Sequence, residues 1–563
     1  RPYWGLCCRY CSGTLYKAAP GVFIPVHPQS RQLAPKEAAT LMQCATDNSR
    51  STYRWLAWIL CLGIGWRVLR WSLGMPMWGD EVMLALNFLD RDWVGWLRPL
   101  DMGQVAPPLF MLLHGTLMQI AGYTEWVLRL PALLFGIGAL LLFARFAYDV
   151  VEQRSALCAV AVLAVAYYSV RHGSEFKPYA LDLLLAVGLL FASHRFRCNS
   201  LGLWRISGLV LIIVLAPLCS FPSVFVTVGV ITGLLADALV KRERDRLYLT
   251  LGVAVLAIIM GITQYTLIIT PQAQANEHIK VLWQGGFPPG DAFGFLGWFV
   301  AQSAGRLMAY PLGGRHFGSV LTLLLVCVGA VSLYRTRQWF LLWILLMPFV
   351  GNVAAATLQL YPYGQSARIA QHLAPSICLL AGVGVVTLLL GRSRLWVPRR
   401  LVWVLCGLSV IGVAGMAEVV AKPYKSLGDL SVRELIQQTL PALGCRTFQV
   451  LNVVDTVPVN FRWYLAIDSA TRFGVDPAQA LEYKDEPVCL LLFDAKRDPD
   501  TTDRLGDALE KISAPQQLIR DEVHTAYIYG GTHHPHQVRS IVLSGGGTRA
   551  HFFSDKEQGP TGR

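Results

Sequence analysis

Two adjacent carboxylates, Asp80 and Glu81, come soon after the first long apolar segment, Trp55–Trp71. Ionised side chains cost roughly 2.5–3.5 kcal/mol each inside a membrane, so the pair is predicted to lie where the chain leaves the bilayer. A carboxylate at such a boundary can act as a general base that takes a proton from a hydroxyl group. The alternative is that Asp80 only caps the helix that follows, a position where Asp is common.

The composition is that of a membrane protein. Of 563 residues, 54% are hydrophobic and 15% are charged, and the mean hydropathy is +0.44, whereas a soluble domain carries about 25% charged residues. The net charge of +13 comes from short basic clusters between apolar runs. That pattern suits cytoplasmic loops better than a nucleic-acid surface. The predicted partner is therefore a lipid bilayer, and no nucleic acid is expected.

Eleven apolar runs are predicted to cross the membrane as helices. If the amino terminus is inside, the cytoplasmic loops hold 14 Lys and Arg residues and the outer loops after the first hold six, which favours a carboxyl terminus outside. The first outer loop, residues 72–125, is predicted to hold two interfacial helices, at Glu81–Leu97 and Leu109–Ala121. The eleven runs are residues 55–71, 126–148, 155–170, 179–193, 206–220, 222–240, 247–270, 317–333, 339–360, 369–390 and 401–421.

The composition changes at Lys422 to that of a soluble domain. The predicted fold is an α-helical polytopic membrane domain, residues 51–421, followed by a small extracytoplasmic α/β domain, residues 422–531. Residues 1–50 are predicted to be disordered or extraneous, and residues 532–563 a disordered tail. The predicted strands are Thr447–Val454, Cys489–Phe493 and Ala526–Tyr529, and the predicted helices are Ser431–Thr439 and Thr502–Ile512.

The outer loops also hold polar residues that suit an anionic, lipid-linked substrate. A phosphate needs cationic or hydrogen-bonding partners, and Arg368 is the first candidate because a guanidinium binds phosphate in a bidentate manner. In the alternative, Arg368 and Lys177 only anchor their helices at the membrane surface, and Glu175 and Asp182 are only ion-pair partners. The other candidates for substrate contact are Lys177, Arg171, Arg315, His316, Gln104, Tyr179 and Tyr361.

Several motifs, in this order along the chain, resemble the GT-C-fold glycosyltransferases that use polyprenyl-phosphate sugars, over roughly residues 55–421. Within that group the chain is similar to the branch of protein O-mannosyltransferases and lipid A aminoarabinose transferases. The latter carry Glu-Lys-Pro where this chain has Gln104 to Pro107, which weakens the transfer of their sugar specificity and metal site. The motifs are Trp78–Glu81, Gln104–Phe110, Gly122–Glu125, Leu128–Pro131, Ser174–Ala180 and Tyr361–Gly364, with Arg368 and Pro375.

The resemblance implies an inverting transfer of a sugar from a polyprenyl-phosphate carrier to a hydroxyl acceptor on a protein, lipid or glycan. It implies a site on the outer face of a bacterial inner membrane, with Asp80 as the base. Glu81 would orient the acceptor or help to bind a divalent cation (Mg²⁺, Mn²⁺ or Zn²⁺), for which no complete ligand set is readable. The alternatives are a transporter or flippase of lipid-linked sugars and a receptor-like assembly protein.

Overall fold

The computed structural model describes most of the chain between residues 35 and 441 and shorter segments beyond. Arg315, His316 and the predicted helix Thr502–Ile512 lie outside the described residues. The described ranges are 35–89, 91–198, 201–276, 278–314, 317–389, 397–439, 441, 447–452, 459–468, 471–473, 488–494, 515–520, 525–530 and 539–544.

Helices dominate the described chain up to residue 421. The longer ones are Pro35–Ser72, Glu125–Val150, Gln153–Ala164, Tyr179–Cys198, Leu203–Cys219, Ser223–Lys241, Arg244–Gln264, Val320–Arg335, Trp339–Thr357, Ala374–Leu389 and Val397–Ala421. Shorter helices between and after them are Gly79–Ala85, Pro108–Ala121, Tyr167–His172, Thr270–Ala275, His278–Leu282, Ala292–Ala304, Leu427–Glu434 and Val459–Asp468. The first helix begins at Pro35, inside the segment 1–50 for which no structure was predicted.

Among the described residues, seven helices are long and apolar enough to cross a membrane, so the protein is a helical multi-pass membrane protein. Three further predicted runs form helices of only 12, 17 and 16 residues. At 1.5 Å per residue, the shortest of them, Gln153–Ala164, extends for about 18 Å against about 30 Å of hydrocarbon. It is buried over most of its length, and an apolar run alone does not separate a core helix from a span. The seven helices are Glu125–Val150, Tyr179–Cys198, Ser223–Lys241, Arg244–Ala275, Trp339–Thr357, Gln371–Leu389 and Arg399–Ala421.

The candidate residues lie at helix ends that meet on one side of the bundle. Asp80 follows the first helix, Lys177 precedes the helix that begins at Tyr179, and Arg368 precedes the helix that begins at Ala374. Although these positions are far apart in the sequence, Asp80 lies within ion-pair distance of both cations. At the opposite helix ends, Arg197 pairs with Asp237 at 3.0 Å, within the basic clusters of the sequence. The fold thus separates a mixed acidic and basic end from a mainly basic end.

Two glycines set the close approach of the helices Val320–Arg335 and Ala374–Leu389. A Cβ on Gly329 would lie 2.0 Å from the carbonyl oxygen of Leu380, and a Cβ on Gly384 would lie 2.0 Å from that of Leu325. Small residues allow membrane helices to pack this closely. The contact fixes the helix that begins six residues after Arg368.

The interfacial helix predicted over Glu81–Leu97 does not form as one element. The chain forms a helix at Gly79–Ala85, then separate 3₁₀ turns at Leu86–Phe88 and Gly95–Leu97. The Asn87 side chain donates to the carbonyl of Met83 at 2.9 Å and accepts from the backbone N–H of Asp101 at 2.8 Å. These contacts tie the chain into a compact loop, which the apolar spacing alone did not reveal.

A helix forms at Pro108–Ala121, where the second interfacial helix was predicted, with proline in its first turn. It belongs to a hydrophobic cluster outside the membrane core that includes Met77, Phe110 and Phe176. Trp463 and Tyr464, from the helix Val459–Asp468, are fully buried in the same cluster. Residues beyond the helix Val397–Ala421 therefore pack directly on the loop that follows the first helix.

Six strands follow: β1 Thr447–Asn452, β2 Thr471–Phe473, β3 Val488–Asp494, β4 Pro515–Arg520, β5 Thr525–Gly530 and β6 Arg539–Ser544. Their order in the sheet is β2-β1-β3-β6-β5-β4. The pairs from β2 to β6 are parallel, with Leu491 of β3 opposite Val450 and Ile541, and β6-β5-β4 are antiparallel. Strand β6 lies within the segment that was predicted to be a disordered tail, and it pairs with the preceding strand β5 and with the more distant strand β3.

Candidate functional site

Asp80 lies in the first turn of the helix Gly79–Ala85 and does not cap it, because Trp78 occupies the N-cap position. One carboxylate oxygen, Oδ2, lies 2.9 Å from a guanidinium nitrogen of Arg368, and Oδ1 lies 3.9 Å from the ammonium of Lys177. The Asp80 side chain is 25% exposed. Asp80 thus combines two cationic neighbours with access to solvent, as a reacting carboxylate requires.

The cations keep Asp80 ionised. Burial opposes the charged form, but Lys177 and Arg368 outweigh that cost and hold the pKa of Asp80 below its usual value. Although desolvation opposes it, Tyr179, Asp80 and Glu175 keep the pKa of Arg368 above its usual value. Asp80 is therefore a carboxylate at neutral pH, ready to accept a proton.

The guanidinium of Arg368 lies beside two aromatic rings. Its guanidinium carbon lies 4.9 Å from the ring centroid of Trp283 and 5.7 Å from that of Trp78, distances typical of cation–π contacts. Within the described part of the chain, the ion pair with Asp80 uses only one of its terminal nitrogens. The remaining N–H groups are available to an anion.

Lys177 and Gln104 form a buried contact beside Asp80. The Lys177 ammonium donates to the Gln104 carbonyl oxygen at 2.6 Å, and both side chains are buried. A hydrogen bond also fixes the backbone of Gln104, since Asn276 donates to its carbonyl at 3.2 Å. Gln272 both donates to and accepts from the backbone of Ala106 at 3.2 Å. Neither Gln272 nor Asn276 belongs to a motif, so the sequence did not indicate these hydrogen bonds.

Glu81 points away from Asp80 and is fully buried. Its oxygens accept from Arg129 at 2.9 and 2.6 Å, from the backbone N–H of Phe176 at 2.5 Å and from that of Trp78 at 3.4 Å. Arg129 also donates to the carbonyls of Met75 and Pro76. Glu81 therefore positions the Asp80 loop, whereas the sequence suggested contact with the acceptor or a metal.

The site does not suit a divalent cation. In the described ranges, no three or more His, Cys, Asp or Glu side chains gather as a metal-binding group. Glu81 is occupied by Arg129, and Asp80 already faces two positive charges, which would repel a metal ion. The reaction proposed for this site therefore uses no metal ion.

Arg171 is neutralised within its own loop. Its guanidinium lies 2.5 Å from one oxygen of Glu175, and Nδ1 of His172 lies 2.8 Å from the other. Although burial opposes ionisation, these partners hold the pKa of Glu175 well below its usual value. The interpretation of Glu175 as an ion-pair partner fits this geometry.

The two candidate tyrosines support neighbouring groups. The Tyr361 hydroxyl donates to the carbonyl of Ile369 at 2.8 Å and so braces the loop that carries Arg368. The Tyr179 ring packs on His172 with centroids 4.9 Å apart. Asp182 is buried one turn further along the helix, and the described residues contain no cation paired with it.

Residues beyond the last membrane helix also reach this end of the bundle. Tyr464 donates to Glu125 at 2.5 Å and accepts from the backbone N–H of Met77 at 3.1 Å. Arg433 pairs with Glu125 at 3.1 Å. The Lys425 ammonium lies 2.8 Å from the ring centroid of Trp78. Of these residues, Trp78 and Glu125 belong to motifs, whereas Lys425, Arg433 and Tyr464 do not.

Residues 105–264 match the family model described as dolichyl-phosphate-mannose-protein mannosyltransferase. The segment includes Lys177 and Glu175, and it begins next to Gln104. The match confirms, over this part of the chain, the resemblance to glycosyltransferases that use lipid-phosphate sugars. No match is found among curated proteins.

Among solved structures, similar chains include ArnT from Cupriavidus metallidurans in the apo state, with 14% identity, a TM-score of 0.48 and coverage of 75% of this chain and 86% of that one. The same protein bound to undecaprenyl phosphate has 14% identity, a TM-score of 0.47 and coverage of 74% and 85%. The apo oligosaccharyltransferase of Archaeoglobus fulgidus has 12% identity, a TM-score of 0.43 and coverage of 74% and 64%.

Proposed function

We propose that this chain, which matches the mannosyltransferase family over residues 105–264, is a membrane-embedded inverting glycosyltransferase. It would move a sugar from a polyprenyl-phosphate carrier to a hydroxyl group of a protein, lipid or glycan. The observation that carries the proposal is the partly exposed Asp80 carboxylate held between Arg368 and Lys177. A base for the proton and separate cations for a phosphate are the two groups that such a transfer needs.

In this reaction, Asp80 accepts the proton of the acceptor hydroxyl as its oxygen attacks the anomeric carbon of the sugar. The new carbon–oxygen bond forms while the bond from that carbon to the phosphate oxygen breaks. The electron pair of the broken bond stays on the phosphate, next to Arg368 and Lys177. Positive groups placed where charge develops stabilise the transition state.

The remaining charges support a site on the outer face. The helix ends around Asp80 mix basic residues with acidic ones, while the opposite ends hold the basic clusters around Arg197, Lys241 and Arg335. Basic clusters mark cytoplasmic loops. The site then opens outside the cytoplasm, in the inner membrane if the protein is bacterial, and the strands after Lys422 lie on the same side.

The test is transfer by the purified protein in liposomes that contain polyprenyl-phosphate sugars, followed as release of polyprenyl phosphate. We expect Asp80→Asn to lower the rate by about 10²–10⁴-fold, the usual contribution of a general base, while donor binding persists. Asp101→Asn is the matched control, since Asp101 lies in the same loop but pairs with Arg91 at the surface. Full activity of Asp80→Asn would refute the role of Asp80, and sugar movement across the bilayer without release of phosphate would favour a flippase.

A further inference from the structure

The segment after the last membrane helix returns to the site and adds a cation. That helix ends at Ala421, and four residues later the exposed Lys425 places its ammonium against the indole of Trp78, 2.8 Å from the ring centroid. The guanidinium of Arg368 faces the same indole at 5.7 Å. Trp78 immediately precedes the helix that carries Asp80. Lys425 therefore lies at the site through a long-range contact, and no motif indicates it.

The positive charge at the site exceeds the negative charge. Lys177, Arg368 and Lys425 surround Asp80, so three cations face one carboxylate. In the described residues, Lys425 has no carboxylate within ion-pair distance. Its electrostatic neighbours are instead Arg368 and Asp80, together with Glu175 and Arg171.

The nearby acids do not reduce this excess. Glu81 is engaged by Arg129, and Glu175 by Arg171 and His172. With all three cations charged, the cluster holds a surplus of two positive charges where Asp80 and Arg368 are a quarter or more exposed. Burial and the neighbouring Arg171 lower the pKa of Lys425 to about 7, so its ammonium is fully charged at neutral pH only when an anion lies beside it. A surplus of this kind calls for an anionic ligand, because unpaired cations at a partly buried site are costly.

A further hydrogen-bond donor lies at the same place. The indole N–H of Trp78 is buried and, among the described residues, has no acceptor. Buried donors are normally satisfied. Two cations thus contact this ring, and its N–H group is an unpaired donor beside them; groups of these types bind phosphate.

The excess of positive charge at the site favours the more negative of the two phosphates in the reaction. The sugar donor is a phosphodiester with one negative charge, whereas the carrier left after transfer is a monoester with a charge of about −1.5 to −2 at neutral pH. We propose that Lys425, with Arg368, binds the phosphate of the lipid carrier and stabilises the monoester that forms as the sugar leaves. This inference rests on the proposed function and assigns to it a cation from outside the membrane domain.

The test measures binding of farnesyl phosphate, methyl farnesyl phosphate and farnesol to the full chain in nanodiscs. We expect Lys425→Met to weaken binding of the monoester by about tenfold, the usual scale of a charged hydrogen bond, and binding of the diester by less than about threefold. Farnesol should bind equally. Methionine still packs on the Trp78 ring, so a purely structural role for Lys425 predicts no change. Lys425→Arg should restore the preference, and Lys422→Met, an exposed residue of the same segment, should leave it intact.

Equal binding of the monoester by the wild type and Lys425→Met would overturn the inference, as would equal losses for the monoester and the diester. Failure of this inference can be distinguished from failure of the proposed function. If Asp80→Asn abolishes transfer while Lys425→Met binds and transfers normally, only the inference fails. If the wild type transfers no sugar, the proposed function fails, and these binding measurements still decide whether Lys425 selects a monoester.

Discussion

At the scale of residues, the chemistry depends on where each charge finds its partner. Asp80 keeps its charge because Lys177 and Arg368 offset the cost of burial. Such a carboxylate is a weaker base than a free one, so its value lies in its position and in its charge at neutral pH. Binding of a phosphate to Arg368 would weaken the pair with Asp80 and make the carboxylate more basic when the acceptor arrives.

The pH dependence of transfer tests this environment. The lowered pKa of Asp80 means that the ionised base is present above that pKa and is lost as pH falls through it. Lys177→Met removes one positive charge, so we expect the acid limb of the rate at saturating donor to move up by about one pH unit, since a nearby opposite charge lowers a carboxyl pKa by ~1–3. Rates between about pH 3 and pH 7 would show this, with Lys422→Met as the control. An acid limb that stays in place or moves down would contradict the role given to Lys177.

At the scale of elements, buried polar contacts hold the loop that presents Asp80. Glu81 joins the start of its helix to Arg129 of the helix Glu125–Val150 and to the backbone of Phe176. Gln272 and Asn276 fix the loop of Gln104 in the same way. The hydrogen bond from Phe176 to Glu81 thus ties the segment that carries Asp80 directly to the segment that carries Lys177.

Substitution of Glu81 tests the bracing role. Glu81→Gln leaves Arg129 buried without its partner charge, and we expect a loss of about 3–5 kcal/mol in the free energy of unfolding. Thermal unfolding in detergent measures it. The exposed pair of Asp101 and Arg91 is the matched control, and Asp101→Asn should cost less than about 1 kcal/mol. Equal stability of the two variants would show that Glu81 is not a structural anchor.

At the scale of the whole molecule, the helices bring three distant parts of the chain to one end of the bundle. The first outer loop supplies Asp80, the loop before Ala374 supplies Arg368 and the segment beyond Ala421 supplies Lys425. The turn between Ser223–Lys241 and Arg244–Gln264 lies at the opposite end, where Arg246 donates to the backbone of Arg197. A membrane between these ends would give them different compartments.

Labelling of single introduced cysteines tests this arrangement. In intact cells or sealed vesicles of known orientation, a cysteine at Lys422 should react with an impermeant reagent added from outside. A cysteine at Arg242, an exposed residue in the turn at the other end, should react only after the membrane is opened. The bias of Lys and Arg toward that end is the physical reason. The reverse pattern would place the site in the cytoplasm and overturn the proposed orientation.

Local properties of the sequence determined the membrane character and the positions of most helices. They also determined the choice of Asp80, Lys177 and Arg368 as candidates. The length of an apolar run and the type of a residue can be read without knowing the fold. The tertiary structure alone decided which charges remain available. It buried Glu81 against Arg129, paired Arg171 with Glu175, broke the helix predicted over Glu81–Leu97 and brought Lys425 to Trp78. These outcomes depend on contacts between residues up to several hundred positions apart. Periodicity within one segment carries no record of such contacts.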